Sequence, residues 1–276
     1  MPINHRSDLS SKIAKHIPVA YEIFFNPETR VEMKGVLQFL RSVRMVMMDD
    51  LKAVLFDLGG TLVKTASPPE IIKRILERYG IVRGLEEIAL AHRRAEEGMS
   101  PEDYRLSYYE FWVKWNRRIL NALHISGGDE FLARALVDEW WDNADVELYP
   151  DAREALEKLR EAELKLGIVT NAFKKDIEEI FARIDLPNLF DVAVGIDAVG
   201  RPKPDPQIFL YAVKKLNIRP REALFVGDSL ENDYFGALKA GLRAVLVDRD
   251  YLMNNRLDLI RINDLRELIK LVCLNI

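Results

Sequence analysis

The chain has 276 residues, 49% of them hydrophobic and 30% charged, with a net charge of -4. That balance suits a globular protein with a sizeable core and excludes the basic footprint of a binder of nucleic acid or anionic membrane. A single cysteine, Cys273, rules out an intrachain disulfide framework, and no apolar run reaches the ~18 residues of a membrane span. The nearest run, Ile17 to Phe25, carries Glu22 and lacks the character of a secretory signal, so a cytoplasmic location is the expectation.

Residues 1–48 read as a mixed-charge extension without a motif. An amphipathic helix is expected over Val31–Met47, with Met33, Val36, Leu37, Leu40 and Val43 on one face. Two readings stay open: the helix packs on the main domain, or the true start is Met45, Met47 or Met48. The first strand is Leu51 to Phe56, a short apolar run that ends in Asp57-Leu58-Gly59-Gly60-Thr61. The two glycines let the chain leave the strand sharply, which sets Asp57 at a strand's carboxyl end.

Residues 65–147 lose the strand pattern and read as entirely helical. One helix runs from near Pro69 to Tyr79 and a second from Leu85 to Glu97, stopped by Gly80 and Gly98. Ser100-Pro101-Glu102-Asp103 predicts the opening of a third, along which Tyr104, Tyr108, Phe111, Trp115, Ile119 and Ala122 recur at helical spacing. Such a stripe predicts core packing rather than a ligand surface. After Gly127-Gly128 a fourth helix is expected to end around Trp140 and Trp141.

From Tyr149 onward, helix and strand alternate. Helices are expected over Asp151–Ala162, Lys174–Ile184, Asp205–Leu216, Asn232–Ala240 and Leu265–Val272. Strands are expected over Leu164–Thr170, Asp191–Ile196, Ala223–Val226 and Arg243–Val247. Single-helix crossovers imply parallel pairing, so the fold class is α/β with a five-stranded parallel sheet covered on both faces.

Three further segments bring polar groups to the same sheet edge, where open parallel sheets place their ligands. Thr170-Asn171 ends the second strand, Gly227-Asp228 ends a later one, and Asp233 opens the following helix. Between them, Gly200-Arg201-Pro202-Lys203-Pro204 delivers Lys203 on a proline-stiffened loop. Each alone reads as a helix cap or a solvated side chain; their convergence on Asp57 reads as a site.

This ordered set resembles the haloacid dehalogenase superfamily of hydrolases, over about residues 51–250. The resemblance implies a Rossmann-like core, residues 49–64 and 148–276, and a helical cap domain, residues 65–147. It also implies an Mg²⁺-dependent phosphatase of small phosphorylated metabolites that works through an aspartyl-phosphate on Asp57. By the family pattern, Asp57, the Gly59 carbonyl and Asp228 hold Mg²⁺ and Asp233 supports them. Thr170 and Asn171 hold phosphate oxygens, and Lys203 neutralises charge between nucleophile and phosphoryl group.

One position departs from that pattern. Phosphatases of this family usually carry a second aspartate two residues after the nucleophile, to protonate the leaving group; here it is Gly59. One resolution is a substrate with a good leaving group, such as an acyl or aryl phosphate; another is a proton donor from the helical insertion, His92, Glu96, Glu97 or His124, each read more readily as surface or core. The alternatives are a 2-haloacid or phosphonate hydrolase, the latter needing a cap lysine such as Lys73 or Lys114, or a weakly active phosphate-binding protein. The Asp228 acid argues against the haloacid branch. Substrate identity and oligomeric state are not legible in the sequence.

Overall fold

The computed structural model describes residues 50–125, 129–253, 256 and 259–272. The 1–48 extension with its expected helix, the Gly127-Gly128 break and Cys273 lie outside the described residues.

Strand β1, Ala53–Phe56, is buried over its whole length, as its unbroken apolar run requires of a strand covered on both faces. Its neighbours are β4, Lys165–Val169, and β6, Ala223–Gly227, with β5, Val192–Val194, beyond β4 and β7, Arg243–Val247, beyond β6. All of these pairs are parallel. Among the described residues the sheet has six strands rather than the five expected, in the order β5-β4-β1-β6-β7 with a further strand, β8, beyond β7. The extra strand, β8, is only Arg261–Ile262, paired in parallel with Leu246 and Val247. Two residues carry no periodicity to read.

Helices α5, Ala152–Glu161, α6, Lys174–Arg183, α7, Pro206–Lys215, and α9, Arg266–Val272, follow the expected crossovers. The expected helix over Asn232–Ala240 is instead a π-helical turn, Leu230–Phe235, that runs into a single α turn, α8, Gly236–Lys239. On one side of the sheet, Ala53 and Leu55 share a cluster with Phe209, Val213, Phe225 and Leu246. The alternating residues of β1 face the other way, so the strand is closed off from water on both faces.

The helical insertion leaves and returns through a second, two-stranded antiparallel ribbon: β2, Val63–Lys64, against β3, Glu147–Leu148. Between these lie α1, Pro68–Arg78, α2, Leu85–Glu97, α3, Tyr108–Ala122, and α4, Asp129–Asp138. Glu70 reaches back to the start of α1: the Ser67 N–H and hydroxyl both donate to its carboxylate, at 2.8 and 2.6 Å. Ser107 and Glu110 repeat the device at α3.

That second box corrects an expectation. Ser100-Pro101-Glu102-Asp103 opens only a 3₁₀ turn, Asp103–Arg105, and α3 begins at Tyr108. The Asp103 carboxylate accepts from the Ser100 N–H and pairs with Lys114 of α3, and the turn ends where Leu106 takes an extended backbone, with ψ 157°. Likewise α4 stops at Asp138, and Trp141–Asn143 forms a separate 3₁₀ turn. The four helices pack around Ile72, Ile75, Ile88, Phe111, Ile119 and Leu136, with Phe173 and Ile196 from the sheet side entering the same cluster. Of the stripe, Phe111, Trp115 and Ile119 are core, as the spacing predicts, while Tyr104, Tyr108 and Ala122 are partly buried against it.

Candidate active site

The site starts where β1 stops. Asp57 still donates its N–H to Val226 of β6 at 2.9 Å, so the nucleophile candidate is held by the sheet itself. The chain then turns back: Gly60 donates to Val63 O at 2.8 Å with φ +76°, a conformation that glycine takes without cost. Glycine is also required by space. A Cβ at Gly60 would collide with the Asp228 carboxylate, whereas one at Gly59 would meet nothing within 4 Å.

Lys203 is the hub of the cluster. Its side chain is buried, and Nζ donates to Asp57 Oδ1 and to Asp233 Oδ1, both at 2.6 Å. The loop that carries it is clamped by Asn171: the Asn171 Oδ1 accepts from Lys203 N–H at 2.6 Å, and its Nδ2 donates to Lys203 O at 3.1 Å. Thr170 Oγ1 accepts from the Ala172 N–H at 3.2 Å, which tightens the exit from β4. Asp233 is fixed from its other oxygen by the Ser229 N–H at 2.9 Å, and Thr61 Oγ1 reaches Asp228 Oδ1 at 3.5 Å.

All seven residues expected from the sequence (Asp57, Gly59, Thr170, Asn171, Lys203, Asp228 and Asp233) line one open cavity of about 250 Å³. Ser229 and Asn232 line it as well. Sequence reasoning did not single these two out, although Ser229 is a legible N-cap for the turn that follows, with Oγ accepting from the Asn232 N–H at 3.2 Å.

The electrostatics are those of an anion-rich pocket. Burial pushes the Asp57 carboxyl up to about 7; Lys203 opposes this, and the charges of Asp233 and Asp228 add to it. Burial works against the charge of Lys203, but Asp57 and Asp233 outweigh it and hold its pKa above the usual lysine value. Asp228 stands at the solvent side, yet its carboxyl is also raised, first by partial burial and then by Asp233. Carboxylate oxygens of Asp57, Asp228 and Asp233 lie within 4.8 Å of one another. Three acids gather around one lysine that bonds two of them, so the pocket keeps a surplus of negative charge among oxygen donors, which fits a hard divalent cation such as Mg²⁺.

None of the expected proton donors reaches this cavity. His92 packs its ring against Trp115, 5.5 Å between centroids; Glu96 and Glu97 are exposed on α2, and His124 follows the end of α3. Lys73 pairs with Glu77 at 2.5 Å and Lys114 pairs with the buried Asp103, so both are held in ion pairs of the insertion.

The haloacid dehalogenase-like hydrolase family matches residues 51–241. A glyceraldehyde 3-phosphate phosphatase from Methanopyrus kandleri is 32% identical over 203 residues, which cover 72% of this chain and 84% of that protein. A phosphoglycolate phosphatase from Nitrosospira multiformis is 30% identical over 206 residues, 73% of this chain and 85% of the relative. Among solved structures, a 2-haloacid dehalogenase from Pseudomonas syringae superposes with a TM-score of 0.60 at 26% identity, covering 81% of this chain and 98% of the other. Strand order, the acid at the end of β1 and the extent of these matches agree: the chain belongs to the haloacid dehalogenase-like hydrolase family.

Proposed function

We propose that the chain is an Mg²⁺-dependent phosphatase of small phosphorylated molecules, with Asp57 as the nucleophile. The observation that carries the reading is the bridge from Lys203 to Asp57 and Asp233 inside a cavity that also holds Asp228. An Asp57 oxygen forms a bond to phosphorus as the bond to the leaving oxygen breaks, which gives an aspartyl-phosphate and the free alcohol or phenol. Water then attacks the same phosphorus, releasing phosphate and returning the Asp57 carboxylate.

The chain's own groups divide the remaining work. Lys203 offsets charge between the nucleophile and the incoming phosphoryl group, and the Asn171 clamp fixes its loop. The Thr170 hydroxyl and the Asn171 N–H are proposed to hold phosphate oxygens. Asp57, the Gly59 carbonyl and Asp228 are proposed to hold Mg²⁺, with Asp233 supporting from behind. When bound, Mg²⁺ supplies positive charge that offsets these acids and the phosphate. The helical insertion, joined to the core by the β2–β3 ribbon, is proposed to act as a cap over the sheet edge. The names of the relatives, phosphatases of glyceraldehyde 3-phosphate and phosphoglycolate, support phosphate-ester hydrolysis.

Asp228 in the cavity disfavours the haloacid branch, and the pairing of Lys73 and Lys114 away from it disfavours Schiff-base phosphonate cleavage. The test is p-nitrophenyl phosphate hydrolysis with Mg²⁺, with a chelator, and in Asp57→Asn. The reading expects activity only in the first case. Equal rates in the wild-type protein and Asp57→Asn would end it.

A further inference from the structure

A second cavity, of about 240 Å³, adjoins the candidate active site. Asn171 lines both, so the corner of β4 proposed to hold phosphate is also a wall of this second space. Its other walls are chiefly aromatic and aliphatic: Tyr108 and Trp112 of α3, Leu136 of α4, and Trp140 and Trp141 beyond it.

The polar groups among its lining residues are largely engaged already. Asn116 Nδ2 donates to Ala133 O at 3.2 Å, and both ends of the Asn171 amide are held by the Lys203 backbone. Asp176 accepts from Tyr108 Oη at 2.9 Å, Trp141 Nε1 at 3.2 Å and Phe173 N–H at 3.0 Å. A carboxylate with three donors is not an anion in search of a cation. The buried Trp112 Nε1 makes no hydrogen bond of good geometry, although it lies near enough to Asp176 to help lower that carboxyl against the stronger raising effect of burial. What the cavity offers a ligand is ring faces and apolar edges. An apolar cavity of about 150 Å³ suffices for benzene, so one substituted ring fits here.

An independent observation at the other end of the site points the same way. Gly59 supplies no acid for the leaving oxygen, and no expected proton donor from the insertion lines the catalytic cavity. Without general-acid help, a leaving group must depart as its own anion. A phenol ionises near pH about 10, and an alkanol holds its proton several orders of magnitude more tightly.

The geometry points to aryl phosphate monoesters as the substrate class, the ring seated among Trp112, Tyr108, Trp140 and Trp141 while the phosphate meets Asp57. This rests on the phosphatase reading above. The step balances without a donor at position 59. The Asp57 oxygen–phosphorus bond forms and the phosphorus–aryl oxygen bond breaks. The phenoxide leaves with the electron pair and takes its proton from water.

Binding and turnover test it separately. Calorimetric titration of the Mg²⁺-loaded protein compares phenylphosphonate, methylphosphonate and 2-(trimethylammonio)ethylphosphonate, none of which is a phosphate ester. Phenylphosphonate is expected to bind about tenfold or more tightly than methylphosphonate, from the ring area removed from water. Trp112→Leu, which keeps the site apolar, brings the phenyl ligand down toward the methyl one. Equal affinities for the phenyl and methyl ligands, or a preference for the cationic ligand, overturn the proposal. In turnover, the wild-type protein prefers phenyl over ethyl phosphate, and Gly59→Asp, for which the structure has open space, narrows that preference by about 10²-fold or more. An unchanged preference in Gly59→Asp also overturns it. A phenyl preference in binding with no turnover of any ester strikes the catalytic reading alone; equal binding with intact turnover strikes the aryl pocket alone.

Discussion

Replacing Lys203 by Met removes a charge while roughly keeping the volume of its stem. The Lys203 side chain is 3% exposed and bonds two carboxylates at 2.6 Å each, so its loss leaves Asp57 and Asp233 facing one another without a counter-charge. Breaking a buried pair from one side costs about 3–5 kcal/mol. For a folded unit of some two hundred residues, at about 2–4 °C per kcal/mol, the melting temperature falls by about 6–20 °C. The catalytic loss adds to this: removing one preorganised positive group at a charged transition state costs about 10²–10³ in kcat. Circular-dichroism melts without metal, and p-nitrophenyl phosphate turnover with Mg²⁺ at a temperature where the variant is folded, read the two effects separately. A melting temperature within about 2 °C of wild type, which on the same scale is about 1 kcal/mol or less, would refute the reading of Lys203 as the buried counter-charge. Full turnover in a folded variant would refute its role at the phosphoryl group.

Two other positions make separate predictions. Gly60→Ala puts a Cβ against the Asp228 carboxylate on a backbone with φ +76°; it is expected to cost about 1–3 kcal/mol and to abolish the rise in melting temperature that Mg²⁺ gives the wild-type protein, read by a thermal-shift titration. An undiminished Mg²⁺ shift would count against Asp228 as a ligand. Burial lowers the His92 pKa below its usual 6.5, with Glu96 opposing weakly. The folded state therefore prefers the neutral ring while the unfolded chain takes up a proton near that value. Stability from this group is complete above pH 6.5 and is lost as pH falls from there through the lower folded value. Denaturant melts of His92→Gln across that interval should show a shallower acid-side decline than wild type; an identical decline would remove His92 as its source.

Much of this site was legible because its residues stand where strands end. A buried parallel strand is an unbroken apolar run, and the first polar residue after it, as at Phe56-Asp57 and Val169-Thr170, has to be at the sheet edge. Lys203 was legible from its proline-flanked loop, but the Asn171 amide clamp was not, because side-chain hydrogen bonds between distant segments leave no periodic trace. The two-residue β8 was too short to register, and the extended Leu106 that ends the 3₁₀ turn leaves no mark in a helix-start signal. The aromatic stripe taught a subtler lesson. Helical spacing correctly placed Phe111, Trp115 and Ile119 in the core, yet Tyr108, at the first turn of the same helix, borders a cavity. Periodicity reports which face is turned from water, not whether the space opposite is filled.

The central claim is that Asp57 carries the phosphoryl group. Acid quenching during Mg²⁺-supported turnover of phenyl phosphate, followed by borohydride reduction and peptide mass spectrometry, examines it directly, since reduction converts an aspartyl-phosphate to homoserine. Homoserine at position 57, present only when substrate and Mg²⁺ are both supplied, is the predicted result. Steady turnover with Asp57 unmodified, or with the phosphoryl group trapped on another residue, would contradict it.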